Sequence, residues 1–443
     1  MKKLFKNTYL EYRFFIGVSI LVAIYILAYQ FPGLLIIANM LTFVFTALTL
    51  IDNILLYKQN GIIAKRILPE KLSNGDDNPI EITLKNSYNF NVNLKLIDEL
   101  PFQYQKRDFE INLALKKTDY KKITYTLRPL ERGEYHFGNL NIYVTSPLGL
   151  IARRFQFGKN AMVPNYPSFL QLKKYMLLAF SNKIFEFGLK KIRRIGHTME
   201  FEQIKDYVAG DDIRNINWKA TAKRNQLMVN QYQDERSQPI YSVIDMGRAM
   251  KMPFNGLSLL DYAINATLVI SNVALKKQDK AGMFSFSRKV GDKVVAERRP
   301  SQMNQILETL YNMNTDFAES DFARLYVDIK RSLNQRSLLL LYTNFETLDA
   351  LHRQLPYLQA IAKNHVLVVI FFENTELSEF IKKPATKTNE IFEKTIAEKF
   401  IYEKKLIVTE LQKHGIQSIL TPPENLTINT INKYLEIKAR GLI

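Results

Sequence analysis

Two long apolar runs near the start of the chain constrain what it can fold into. Phe14 to Tyr29 carries no charge, and Leu34 to Ile51 is a second run with Asn39 as its main polar interruption. Each is close to the roughly 20 residues a helix needs to cross a hydrocarbon core. Gln30-Phe31-Pro32-Gly33 lies between them. Proline beside glycine breaks a helix and permits a tight reversal. Residues 1–57 therefore read as a transmembrane helical hairpin.

The flanks set its orientation. Lys2, Lys3, Lys6 and Arg13 precede the first run, Lys58, Lys65 and Arg66 follow the second, and the turn is uncharged. Basic residues stay on the cytoplasmic side, so both termini are expected in the cytoplasm at a bacterial inner membrane. A cleaved signal peptide does not explain the second run, and no small-x-small cleavage site follows Tyr29.

The formal charge is +18, from 61 Lys and Arg against 43 Asp and Glu. Such a balance fits nucleic acid, an anionic membrane surface or an acidic partner. Here the basic residues are scattered, with neither zinc-finger spacing nor an RNA-binding aromatic motif. The lipid bilayer, through its anionic cytoplasmic leaflet, is the plainer counterpart, and no nucleic-acid partner is expected. Cysteine is absent, which excludes disulfides, thiolate metal ligands and a thiol nucleophile.

From 62 to 157 the period changes. Ile80-Glu81-Ile82-Thr83-Leu84, Val92-Asn93-Leu94-Lys95-Leu96 and Ile123-Thr124-Tyr125-Thr126-Leu127 alternate apolar with polar, as strands with one wet face do. Asn74-Gly75-Asp76, Asn86-Ser87 and Arg132-Gly133 punctuate them as turns. An antiparallel, Ig-like β-sandwich is the expectation, with Ser146-Pro147-Leu148-Gly149-Leu150 as a tight turn before its last strand.

Residues 158–238 read as a linker. Val163-Pro164-Asn165-Tyr166-Pro167 is extended, because proline disfavours helix in the residue before it. Phe185 to Arg194 is a basic, solvated stretch. The densest motif follows: Gly210-Asp211-Asp212-Ile213-Arg214, then Asn217-Trp218-Lys219-Ala220-Thr221-Ala222-Lys223. Gly210 supplies a turn, and Asp211 or Asp212 can cap the next helix. Arg214 and Trp218 are four apart, so on one helix they share a face and form a cation–π pair. A catalytic reading makes Asp211 and Asp212 a general acid–base pair with Arg214 as an anion clamp. A structural or docking reading pairs the carboxylates with Arg214 or Lys219. The second is preferred, because nothing nearby supplies a nucleophile. It makes Arg214 and Trp218 buried anchors.

From 239 to 443 strand and helix alternate. Strands are expected at Pro239–Asp245, Ala281–Ser287, Ser337–Asn344, His365–Phe372 and Ile416–Leu420. Helices are expected at Leu257–Lys276, Gln302–Asn312, Asp321–Leu333 and Thr347–Lys363, and within 386–413. The strands are almost wholly apolar, which argues a mainly parallel sheet covered on both faces with ligands at the strand C-termini.

At this point the chain resembles the bacterial membrane proteins grouped as domain of unknown function 58. The resemblance rests on Gly210 to Arg214, Ile216 to Lys223, Arg132-Gly133-Glu134-Tyr135, Ser146 to Leu150, and the order hairpin, sandwich, α/β domain. It implies a von Willebrand factor A-like, Rossmann-type domain over 239–443 and a MoxR-type AAA+ ATPase as partner. Many such domains hold a divalent cation with an Asp-x-Ser-x-Ser loop, a Thr and a further Asp, hard oxygen ligands that suit Mg²⁺. In this chain Asp245 matches, while Gly247 and Ala249 replace the serines. Thr315-Asp316 resembles the second loop, and Asn344 stands where an Asp would be.

The first expectation is thus a membrane-anchored cytoplasmic adaptor without catalytic activity or a required cofactor. It would work with the ATPase in envelope maintenance or complex assembly. The second is a Mg²⁺-dependent receptor using Asp245, Thr315 and Asn344. The third is a hydrolase using Asp211 and Asp212, against which stands the lack of a GxSxG elbow, a Walker A loop or an HExxH helix.

Overall fold

The computed structural model describes residues 7–158, 160–169, 198–208, 211, 213–234, 237–315, 317–384 and 388–442. The chain divides into two compact units, Met1–Tyr166 and Pro167–Ile443.

In the first unit a short strand, β1 (Thr8–Leu10), leads into α1 (Tyr12–Gln30), and α2 (Leu34–Tyr57) returns antiparallel to it. Both helices are long and apolar enough to cross a membrane. The second continues past Ile51, where the apolar run stops, because Asp52 is drawn into the β structure. Asp52 is fully buried. Its carboxylate accepts from Ser146 Oγ and from the backbone N–H groups of Leu150 and Ile151, the latter two at 3.0 Å.

The following strands are β2 (Ile62–Ile67), β3 (Leu72–Ser73), β4 (Asn78–Asn86), β5 (Val92–Asp98), β6 (Glu110–Leu115), β7 (Tyr120–Leu127), β8 (Gly133–Phe137), β9 (Leu140–Thr145), β10 (Ile151–Phe157) and β11 (Ala161–Tyr166). They form a five-stranded sheet, β1-β10-β9-β5-β6, and two three-stranded sheets, β2-β4-β7 and β3-β11-β8. The alternation read in the sequence is the inward face: Ile82, Leu84, Leu94, Leu96, Ile142 and Val144 share one core, and Ile80, Leu127, Phe137 and Val163 another.

Two details depart from expectation. The β region does not end at 157. β11 pairs antiparallel with β8 and parallel with β3, so Pro164 sits in a strand rather than a linker. The parallel pair arises because Asn78 holds the turn after β3, its amide bonded to both Ser73 N and Ser73 O. Inside the unit, Arg66 and Asp98 form a buried ion pair, and Tyr125 donates to the same carboxylate. Arg66 also donates to Gly138 O and Gly158 O, at 2.9 and 3.0 Å.

In the second unit, the region expected to be a linker contains an antiparallel pair, β12 (Thr198–Asp206) and β13 (Met228–Asp234), with α3 (Trp218–Arg224) in the excursion between them. The basic stretch at 185–194 lies outside the described residues. The elements that follow are β14 (Pro239–Asp245), β15 (Pro253–Phe254), β16 (Leu257–Ser258), α4 (Leu259–Lys276), β17 (Lys280–Phe286), β18 (Val290–Glu297), α5 (Gln302–Asn312), α6 (Phe322–Ser332), β19 (Leu338–Tyr342), α7 (Leu348–Asn364), β20 (Val366–Phe372), α8 (Thr375–Lys382), α9 (Thr388–Lys413), β21 (Gln417–Thr421) and α10 (Leu426–Arg440).

Six of these strands make one sheet in the order β18-β17-β14-β19-β20-β21. All neighbours are parallel except β18, an antiparallel edge. Successive side chains point to opposite faces. Ile240, Leu338, Leu340 and Val368 pack under α4, α5 and α10, while Val243, Leu339, Leu341 and Val369 pack under α6, α7 and α9. Burial on both faces is why Leu338-Leu339-Leu340-Leu341 contains no polar residue.

Candidate functional site

The sheet reverses its direction of growth at β14. From β14 the chain crosses to β17 on one side and later returns to β19 on the other. The crevice at the C-terminal ends of β14 and β19 is where open α/β sheets bind ligands. Asp245 ends β14 and Thr343 follows β19.

Asp245 is buried. Its Oδ1 accepts from Gly247 N at 2.8 Å and from Ser320 Oγ, and its Oδ2 accepts from Thr343 Oγ1 at 2.6 Å. Burial raises its pKa, and the three donors only partly oppose that shift. Gly247 is required by close approach, since a Cβ there would collide with Ser320 Oγ. A hydroxyl from residue 320 thus fills the space a serine at 247 would occupy.

Neither of the other residues named with Asp245 as metal ligands joins it. Thr315 Oγ1 donates to Met246 O at 2.7 Å and accepts from Phe317 N at 3.0 Å. Asn344 Oδ1 accepts from Lys404 Nζ at 2.6 Å. Burial pushes the Lys404 pKa down to about 8. A divalent cation would face an ammonium on one expected ligand and a carboxylate already engaged by three donors, so these residues do not fit one. Among the described residues there is no cluster of three His, Asp or Glu side chains able to hold a metal. Asp316 lies outside them. Beside Ser320 opens a cleft of about 630 Å³, lined by Arg288, Glu319, Asp321, Arg353 and Tyr357 among others.

The second candidate is the excursion between β12 and β13. Its frame is polar. Asn217, not an aspartate, caps α3: its Oδ1 accepts from Ala220 N at 3.0 Å, and its Nδ2 donates to Asn230 Oδ1 at 2.8 Å. Thr221 Oγ1 accepts from Met228 N at 3.0 Å. Asp211 accepts from Val208 N and Lys205 Nζ, both at 3.0 Å. Those two contacts hold its carboxyl below the usual carboxylate range. Its two bonds are those of a loop clamp rather than of a general base.

The frame leaves the apolar residues outside. Trp218 is 69% exposed, Ile213 68% and Val208 63%, and Lys219 is exposed beside them. The expected burial of Trp218 is therefore overturned. Its spacing from Arg214 misled because the two are not on one helix. Arg214 lies in a 3₁₀ turn, Ile213–Asn215, and Asn217 (φ −88°, ψ 89°) interrupts the chain before α3 starts. Gly210, Asp212 and the Arg214 side chain, and with them the expected cation–π pair, lie outside the described residues.

Residues 203–378, which span both candidates, match the family model described as protein of unknown function DUF58. That stretch of the chain is similar to the DUF58 family. A relative in Bacillus subtilis (strain 168), the uncharacterized protein YeaD, is 24% identical over 240 residues, covering 53% of this chain and 58% of YeaD. The chain thus spans under two thirds of that relative. Among solved structures, the PapD-like domain 7 of human CEP192 shares 15% identity over 23% of this chain and 86% of its own, with a TM-score of 0.18. Proximal thread matrix protein 1 of the mussel byssus shares 12% over 46% and 47%, with a TM-score of 0.26. At those scores neither likeness bears on the fold or function of this chain.

Proposed function

We propose that this chain is a membrane-anchored cytoplasmic docking protein, and that the excursion carrying Trp218 is the surface that engages its partner. The observation that carries the reading is the exposure of the chain's one tryptophan on a loop pinned by Asp211, Asn217 and Thr221. Exposed Trp on a rigid frame is typical of interface hot spots. Single-copy Trp with Ile213 and Val208 would otherwise be an aggregation liability.

Anchoring is supported by the hairpin and by where its ends go. β1, before α1, pairs with β10, and β2, after α2, pairs with β4. Both ends return to one β unit, as two crossings require. With the basic flanks, that supports a cytoplasmic β unit with both termini on the same side. In this reading the first unit is a β-sandwich and the 239–443 sheet is von Willebrand factor A-like. The partner is a MoxR-type AAA+ ATPase, a choice that rests on the family resemblance alone.

The test is co-purification from native membranes of the full chain and its Trp218→Ala variant. Loss of an AAA+ ATPase in the variant, with the chain still folded and membrane-bound, supports the reading. Equal recovery of the ATPase with both overturns the surface, and its absence from both overturns the partner.

A further inference from the structure

The uncharged polar residues of α2 fall at Asn39, Thr42, Thr46, Thr49 and Asn53. Their spacing, three then four then three then four, is that of a coiled-coil seam. α1 packs on α2 beside this seam, at buried Ala38 and at Phe45, whose ring lies tilted against Phe14 with centroids 5.4 Å apart, and the Tyr25 OH of α1 reaches Asn39 and Thr42 at the near edge of the seam. Asn39 and Thr46 on the seam are exposed, and Thr42 and Thr49 are half-buried.

The hydroxyls of the seam bond within their own helix, and that of Thr42 also meets Tyr25 OH at 3.1 Å. Thr42 Oγ1 donates to Ala38 O at 2.8 Å, Thr46 Oγ1 to Thr42 O at 2.6 Å and Thr49 Oγ1 to Thr46 O at 2.8 Å. Asn39 is different. Tyr25 OH donates to its Oδ1 at 2.8 Å, while its amide N–H groups meet no acceptor among the described residues. In hydrocarbon no water can take their place, and an unmet amide there is costly.

We infer that two copies of this chain pair in the bilayer along this seam, with the Asn39 amides facing each other. This rests on the reading that the hairpin spans a membrane. Copies inserted in the same orientation and related by a two-fold axis along the membrane normal bring α2 against α2 in parallel, with residue 39 opposite residue 39. Each Asn39 Oδ1 keeps a second lone pair beside the Tyr25 bond, so it can accept from the other copy's amide. Small threonines whose donors are already used let the helices approach closely, and the amide fixes the register.

The chain has no cysteine, so single-cysteine variants of the full-length protein report contacts cleanly. Thr46→Cys lies on the seam, and Val44→Cys, 52% exposed, points to the opposite side of α2. On oxidation in native membranes, Thr46→Cys should give a species of twice the chain mass and Val44→Cys should not. Adding Asn39→Leu should cut that product at least about fivefold, the scale of an interhelical amide bond, and Asn39→Gln should restore it. Equal cross-linking at both positions, none at either in a chain that resists carbonate extraction, or linkage of Thr46→Cys only to another protein would overturn the pairing. Release of the chain by carbonate would instead overturn the spanning reading and the pairing with it.

Discussion

Ser146 Oγ donates to the carboxylate of Asp52, 94 residues earlier in the chain. The bond joins the turn before β10 to the last turns of α2. Arg153 Nη1 donates to Leu56 O at 2.6 Å, and Tyr88 OH to the same carbonyl at 2.7 Å. The apolar hairpin is thereby continuous with the β unit rather than tethered to it.

Asp52→Ala would leave the Ser146 hydroxyl and two backbone N–H groups without acceptors in a buried place. Hydrogen bonds to a charged group are worth about 1.5–3 kcal/mol each, so the loss should be at least about 3 kcal/mol. Thermal melting of the full chain in detergent should show a drop of several degrees. Asp52→Asn, which keeps one carbonyl acceptor, should fall between. A melting point unchanged in Asp52→Ala would remove the clamp.

The motif predicts a division between frame and face. Trp218→Ala removes a side chain mostly in water and should shift stability by no more than about 0.5 kcal/mol. Asn217→Ala loses the cap of α3 and should cost about 1 kcal/mol, within the usual range of 0.5–2 for such caps. Melting curves of the two variants side by side decide it. A large loss in Trp218→Ala would restore the buried anchor.

The sheet of the second unit was legible because its strands are covered on both faces. Pro239–Asp245 and Gln302–Asn312 were delimited to the residue. β18 was not seen, because an edge strand with Asp292 and Lys293 in it lacks a continuous apolar run. α10 was missed for a similar reason: its buried face, from Ile431 through Tyr434 to Ile437, is diluted by Asn and Lys. Trp218 was misplaced because a four-residue spacing marks one face only if the helix is unbroken, and Asn217 breaks it. The partners of Asp245 could not be read at all. Ser320 and Thr343 lie 75 and 98 residues away from it, and only the sheet order brings them to one strand tip.

That strand tip yields a coupled pair. Gly247→Ala should cost about 1–3 kcal/mol, because the new methyl group meets Ser320 Oγ in a packed interior. Ser320→Ala should cost a similar amount by removing a donor from a buried carboxylate. The double variant should cost less than the sum by more than about 0.5 kcal/mol, since each change relieves the other. Additive losses would show that residue 320 does not occupy the space beside 247.

Because the residues named as metal ligands are engaged by other partners, millimolar Mg²⁺ should leave the melting temperature of the full chain unmoved. A cation bound only to the folded state would raise it by mass action. A saturable rise that disappears in Asp245→Ala would establish a cation site built from other donors.

Lys404 makes the strand tip sensitive to pH. Its ammonium donates to Asn344, and burial brings its pKa from 10.5 down to about 8. Between those two values the unfolded chain holds a proton that the folded chain has released. Stability therefore rises with pH across that window, and below about pH 8 the cost of burying the charge is fully present. Lys404→Met removes this dependence. Other groups titrate alike in both proteins, so the difference between the two melting profiles isolates Lys404. The variant should gain most on the parent near neutral pH, and the gap should narrow as pH climbs from 8 towards 10.5. Parallel profiles across that range would mean that Lys404 titrates as an ordinary surface lysine and that the tip of β19 is open to water.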